Sequence, residues 1–145
     1  MIAIGADHGG FVLKEELIKS FEGELEFKDF GTDSIESVNY PDIAFKVAES
    51  VSKGECEAGI LICKSGVGMC IAANKVKNIR CANVHTTTGA RLCKEHNNAN
   101  VIAVGADEIT VEGLKEMVYM WLSSEFHGGR HKERIDLISE YENRN

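Results

Sequence analysis

The sequence predicts a doubly wound α/β domain. The expectation is a five-stranded parallel sheet, Rossmann-like and in flavodoxin-like order, with an extended C-terminal helix. Three observations carry it. Five short apolar runs alternate with stretches whose apolar residues recur every three to four positions. The run Gly59-Ile60-Leu61-Ile62 is apolar throughout, as a strand covered on both faces must be. That run passes into a loop with two glycines, Gly66 and Gly68, and then into a helix. Strand, glycine-rich loop and helix is the unit from which such sheets are built, and its loop N–H groups hold anions.

Taken in order, Met1–Ala6 reads as a small apolar strand ending in Asp7-His8-Gly9-Gly10. Leu13, Leu17 and Phe21, with Ile18 beside them, form the apolar stripe of the first helix, and Lys14, Glu15 and Glu16 its wet side. Leu25–Phe30 is a second strand, closed by Gly31-Thr32, and Asp33–Asn39 is polar loop. Pro41 suits a first helical turn, and Ile43, Val47 and Val51 share one face after it, with Gly54 as a C-cap. The central strand stops at Cys63, and its helix starts near Met69. Arg80–Val84 reads as a fourth strand, Thr86–Lys94 as a helix and Val101–Val104 as a fifth strand. Thr110 N-caps a helix with Leu114, Met117, Val118, Trp121 and Leu122. Gly128-Gly129 breaks it, and a last helix carries Ile135, Leu137, Ile138 and Tyr141 before a polar tail, Glu142–Asn145. One helix face cannot hold the six consecutive apolar residues Met117–Leu122. They pack on two sides within one chain or form a subunit interface, and the interface is the favoured reading.

Composition narrows the function. At 145 residues the chain can bury a real core as one domain, and 43% hydrophobic with 27% charged is an ordinary globular balance. A formal charge of −7 argues against nucleic acid as the partner. No apolar run approaches a membrane span. Met1 leads straight into a strand with no basic leader, and five cysteines without a CxxC pair read as reduced thiols. The expectation is a cytoplasmic protein.

The chemistry gathers at three places. Ligands of such sheets sit above the carboxyl ends of the strands. There Asp7-His8 and Cys63 fall on neighbouring strands in a 2-1-3-4-5 order. The positive end of a helix favours the anionic form of a thiol, so Cys63 reads as a proton-transferring base at the edge of an oxyanion-holding loop. The plainer reading is a small hydrophobe ending a strand. In Lys94-Glu95-His96-Asn97-Asn98, His96 can be a general acid with Asn97 beside it, or the motif simply ends a helix. Arg130 and Arg134 lie one helical turn apart and can grip a phosphate together. His127 and His131 are also four apart, but no third metal ligand lies near them in sequence. The dinucleotide fingerprint is missing, since ADHGGF follows the first strand. The Walker A pattern is missing too, since Lys64 precedes the glycines.

Together these pieces resemble the type B ribose-5-phosphate isomerase family, which includes galactose-6-phosphate isomerase subunits. The resemblance rests on GADHGG, Asn39-Tyr40-Pro41-Asp42, GILICKSGVGMCIAANK, KEHNNANV and GGRHKER, in that order along nearly the whole chain. It implies a single sugar-phosphate isomerase domain over 1–145. The implied reaction interconverts ribose 5-phosphate and ribulose 5-phosphate in the non-oxidative pentose phosphate branch, without cofactor or metal. Cys63 would be the base and His96 the acid that opens the sugar ring. Asp7, His8, Tyr40 and Asn97 would contact the sugar. Lys64, Ser65, Gly66, Val67 and Gly68 would hold the enediolate, and Arg130 and Arg134 the phosphate. Two positions depart from the family pattern: Lys64 stands where glycine is usual, and Asp107 where many members carry an arginine. The alternatives are a hexose-phosphate isomerase, for allose or galactose phosphates, and a non-catalytic sugar-phosphate-binding module. Because His96, Asn97, Arg130 and Arg134 follow helices that return to the far edge of the sheet, the expected assembly is a homodimer, or a tetramer of two paired dimers, with shared active sites.

Overall fold

A computed structural model describes residues 1–144. Among these, five strands and six helices alternate as one α/β domain. They are β1 Ile2–Ala6, α1 Phe11–Ser20, β2 Phe27–Asp29, α2 Tyr40–Ser52, β3 Ala58–Cys63 and α3 Val67–Ala73. After them come β4 Cys81–Asn83, α4 Thr87–Asn97, β5 Val101–Gly105, α5 Val111–Ser123 and α6 Arg130–Glu142. Every strand pairing is parallel.

The strand order is β2-β1-β3-β5-β4, which corrects the flavodoxin-like order expected from the sequence. Composition explains the exchange of the last two strands. All five residues of β5 are buried, whereas the three residues of β4 are half-buried. A fully apolar strand belongs inside a parallel sheet and a short, mixed one at its edge. The halves expected as Leu25–Phe30 and Arg80–Val84 shrink to three-residue strands for the same reason: both are edges.

Alternation along the central strands builds two cores. Ile2, Ile4, Ala58, Ile60, Ile62, Ile102 and Val104 face α1, α4 and α5. Ala3, Leu61, Cys63, Val101 and Ala103 face α2 and α3. Cys63 therefore points into the α2–α3 layer rather than away from it. Trp121 is fully buried in the first core, and its Nε1 donates to the Ala99 carbonyl at 3.0 Å.

One expectation fails here. Lys14 does not lie on the wet side of α1. It is fully buried, with Nζ 2.6 Å from Asp29 Oδ2 and 2.8 Å from Glu15 Oε1. Within Met117–Leu122, Met117, Val118 and Trp121 are core, Tyr119 packs edge-on to Phe21, and Tyr119 and Met120 are exposed. On the last helix Ile135 alone among the described residues is buried, while Leu137, Ile138 and Tyr141 are exposed. Of the polar tail, Glu142 still belongs to α6, and Asn145 lies outside the described residues. Among the described residues no helix is long and apolar enough to cross a membrane.

Candidate active site

Register places the first half of the site. Ala6 pairs with Ile62, so the ends of β1 and β3 lie side by side, and Asp7 N–H donates to the Ile62 carbonyl at 3.2 Å. Asp7, 8% exposed, turns its carboxylate back on its own loop. Its Oδ1 accepts from the N–H of Gly9 at 2.9 Å and of Gly10 at 3.2 Å. His8 Nδ1 accepts from Val38 N–H at 3.2 Å and so ties the 33–39 loop to the end of β1.

Cys63 closes β3 and is 6% exposed. The Gly66 N–H donates to its Sγ at 3.1 Å, the bond that a thiolate accepts better than a thiol. This geometry requires Gly66. Its φ is +82°, and a Cβ there would stand 2.5 Å from Asn83 Nδ2 and 2.8 Å from the Val104 carbonyl carbon. Ser65 Oγ accepts from Val67 N–H at 3.3 Å, ordering the rest of the loop. Helix α3 starts at Val67 rather than Met69, so the N–H groups of its first turn, Gly68 among them, have no partners within the helix. Tyr40, at the start of α2, lies over this turn. A Cβ on Gly68 would meet its ring carbons and hydroxyl at 2.5–2.8 Å. Lys64 is exposed beside Gly9, with Nζ 4.0 Å from Asp107 Oδ2. The two departures from the family pattern thus face each other.

The second half lies elsewhere. α4 runs on to Asn97, three residues beyond the expected end, so His96 and Asn97 belong to its last turn. Asn98 follows as a left-handed cap at φ +47°. The chain then enters β5 at Val101, and β5 pairs Gly105 with Cys63 at its other end. Along the strand direction, His96 and Cys63 of one chain are therefore offset by the length of β5, about 13 Å. Arg130 and Arg134 are exposed on the first turns of α6, which packs against α4. The chain brings Asp7, His8, Tyr40 and the Cys63–Gly68 loop together at one edge. It brings His96, Asn97, Arg130 and Arg134 together near the other.

Sequence spacing missed two features. His96 joins His127 and His131, because α4 and α6 converge; its ring stacks on His131 at 4.3 Å between centroids. Partial desolvation first, then the charges of His96, Arg130 and Arg134, hold His131 below the ordinary imidazole range. Cys70 and Cys81, eleven residues apart, also meet. The Cys81 hydrogen bond, opposed by burial and aided by Asn83 and Asn74, brings the Cys70 thiol down to about 7. No spacing rule links such pairs, since each spans a crossover.

Known proteins match this chain throughout. The family described as Ribose/Galactose Isomerase matches residues 2–138. The putative sugar phosphate isomerase YwlF of Bacillus subtilis is 47% identical, over 99% of this chain and 98% of its own. Ribose-5-phosphate isomerase B of Escherichia coli is 42% identical, over 99% and 97%. D-erythrulose-4-phosphate isomerase of Pectobacterium atrosepticum is 41% identical, over 97% and 94%. Among solved structures, ribose-5-phosphate isomerase B of Clostridium thermocellum superposes with a TM-score of 0.96 at 46% identity, covering 99% of this chain and 97% of that one. The Mycoplasma genitalium enzyme, solved with ribulose 5-phosphate bound, gives 0.94 at 38% identity, with coverage of 99% and 97%.

Proposed function

The chain belongs to the ribose/galactose isomerase family, and from that premise we propose that it interconverts ribose 5-phosphate and ribulose 5-phosphate through a cis-enediolate. The observation that carries the reading is Cys63, held at the carboxyl end of β3 with the Gly66 N–H on its sulfur and the first turn of α3 beside it. A base there removes the proton from C2 of the open-chain aldose and returns it to C1. The hydroxyl proton passes from O2 to O1, so no group is gained or lost. The loop Lys64–Gly68 and the start of α3 face the oxygen on which charge develops, and each such donor is worth about 10²–10³-fold. His96 protonates the ring oxygen and opens the furanose, a general-acid step worth about 10²–10⁴-fold. Asp7, His8, Tyr40 and Asn97 hold the sugar hydroxyls, and Arg130 and Arg134 the phosphate. Neither metal nor redox cofactor has a task in this sequence of steps.

The two halves of the site meet when a second copy supplies His96, Asn97, Arg130 and Arg134. Exposed apolar side chains support that assembly. Val67 and Ile71 on α3 are 50% and 59% exposed, and Leu137 and Ile138 on α6 are 64% and 59% exposed. Covering those faces against each other docks the second half of the site beside the Cys63 loop. We place the homodimer in the cytoplasm, where five thiols stay reduced, and in the non-oxidative branch of pentose phosphate metabolism.

Sugar length is the open choice within the family, since the Pectobacterium relative named for a four-carbon phosphate is about as similar as the Escherichia coli one. The test is a coupled assay with ribose 5-phosphate, erythrulose 4-phosphate and allose 6-phosphate, with EDTA present. The expected result is preferred turnover of the pentose phosphate, unchanged by EDTA. Preference for the four- or six-carbon substrate keeps the mechanism and changes the substrate. Binding of sugar phosphates without turnover of any of them overturns the enzyme reading in favour of a binding module.

A further inference from the structure

Three imidazoles meet where the end of α4, the loop after α5 and the start of α6 converge. One nitrogen from each of His96, His127 and His131 lies within 4.8 Å of the other two. His127 stands edge-on to His96, at 6.0 Å between ring centroids. The frame around them is built. His127 N–H donates to the Glu95 carbonyl at 3.0 Å, and its Nε2 lies 3.5 Å from Glu95 Oε2. Arg91 in turn grips the other oxygen of that carboxylate. Isomerisation gives His127 no task.

We propose that His96, His127 and His131 bind a borderline divalent transition-metal ion of the Zn²⁺, Co²⁺ and Ni²⁺ class, and that the bound ion inhibits the enzyme. Three neutral imidazoles suit these ions, whereas Mg²⁺ and Ca²⁺ require oxygen ligands. Metal–nitrogen bonds of about 2.0–2.1 Å place tetrahedral ligand atoms about 3.3 Å apart. The present separations close to that value by side-chain rotation of half-buried and exposed rings. Stacked rings aim their in-plane lone pairs along parallel lines, with an angle of 9° between the planes of His96 and His131, so this pair must splay as the ion enters. Glu95 lies beside the His127 ring, and a carboxylate next to a metal-binding imidazole orients the ring and raises its basicity. Arg130 and Arg134 on the same helix oppose a cation, so the expected affinity is micromolar rather than nanomolar. An ion held by His96 removes its lone pair and its proton. The inhibition therefore rests on the role of His96 proposed above, while the binding does not.

Cobalt titration of the intact protein tests both parts. Co²⁺ is expected to develop the d–d absorption of an imidazole-bound ion without the thiolate-to-cobalt band that the cysteines would give. In parallel, ribose 5-phosphate turnover is expected to fall with Co²⁺, to return with EDTA and to be indifferent to Mg²⁺. His127→Ala, and His127→Gln as a second variant, are expected to weaken Co²⁺ binding about tenfold or more while the metal-free kcat and KM stay unchanged. No d–d band, a thiolate band alone, or equal affinity in both variants overturns the site. A His127-dependent band without inhibition keeps the site and overturns both the inhibition and the acid role of His96. If no sugar phosphate is turned over at all, the spectra still decide the site.

Discussion

At the scale of single residues, the account turns on which side chains sit where charge develops. Cys63→Ala is expected to lower kcat by at least about 10²–10⁴-fold while calorimetry still shows ribose 5-phosphate binding; near-normal kcat would mean that another group is the base. Alkylation is a poorer probe, because Cys70, with its thiol brought down to about 7, competes for the reagent. Lys64 offers a second residue-scale test. If its charge replaces the arginine that Asp107 displaces, Lys64→Gly raises KM sharply and leaves kcat nearly intact. Both side chains are well exposed, at 78% and 62%, so their ion pair itself contributes little stability. His131 carries a pH effect with a defined sign. Its folded value lies below the ordinary 6.5, so the folded chain disfavours the protonated ring. Stability is then full above 6.5 and falls as pH drops from there through the folded value. Melting temperatures across that range should show the fall, and His131→Gln should flatten it. The position of Cys63 at the end of an apolar strand, before two glycines, was legible in the sequence, whereas the role of base came from the family resemblance, because a small hydrophobe ends a strand equally well. The stacking of His96 on His131 was not, because it depends on where two helices cross.

At the scale of elements, hydrophobic period and turn residues together located the helices, and the errors lie where packing overrides local pattern. Lys14 shows this. Charge at that position reads as solvent-facing, yet the strand end at Asp29 captures it in the interior. Removing one partner of such a pair leaves its carboxylates unpaired. Lys14→Ala is expected to cost about 2–3 kcal/mol in urea unfolding, less than a fully buried pair because the carboxylates are part-exposed. Lys14→Met, which keeps the volume, should cost less. The order of β4 and β5 was misjudged because chain order is a weaker guide than burial: the run Val101–Gly105 is the more apolar of the two and takes the centre. The α3 loop shows an element serving chemistry. Gly68 leaves room for the Tyr40 ring, so Gly68→Ala must push Tyr40 off the loop. Misplacing a substrate-facing ring by about 1 Å costs on the order of 10²-fold in kcat/KM, with little change in melting temperature. A variant with normal kcat/KM would remove Tyr40 from the site.

At the scale of the whole molecule, the topology divides the chemistry. Parallel strands put Asp7 and Cys63 at the carboxyl edge, and the return path of α4 puts His96 near the amino edge, a strand's length away. One chain holds both halves and joins neither. Sequence reasoning reached this division from connectivity alone, but it placed the joining surface on Met117–Leu122. Met117, Val118 and Trp121 of that run are core, Tyr119 and Met120 are exposed, and further exposed apolar side chains lie on α3 and α6. Charge to alanine changes cannot test the joining; loss of apolar cover can. Ile71→Glu with Ile138→Glu is expected to yield folded monomers in sedimentation, devoid of isomerase activity.

The shared site is tested most directly by complementation. Cys63→Ala and His96→Ala homodimers, each inactive, are mixed and allowed to exchange subunits, and the mixed dimers are confirmed by mass. Each mixed dimer then carries one site with both residues intact and one with neither. Random exchange makes about half the dimers mixed, so isomerase activity should return to about a quarter of the wild-type value. Proven mixed dimers with no recovered activity would place Cys63 and His96 in the same chain's site and contradict the account.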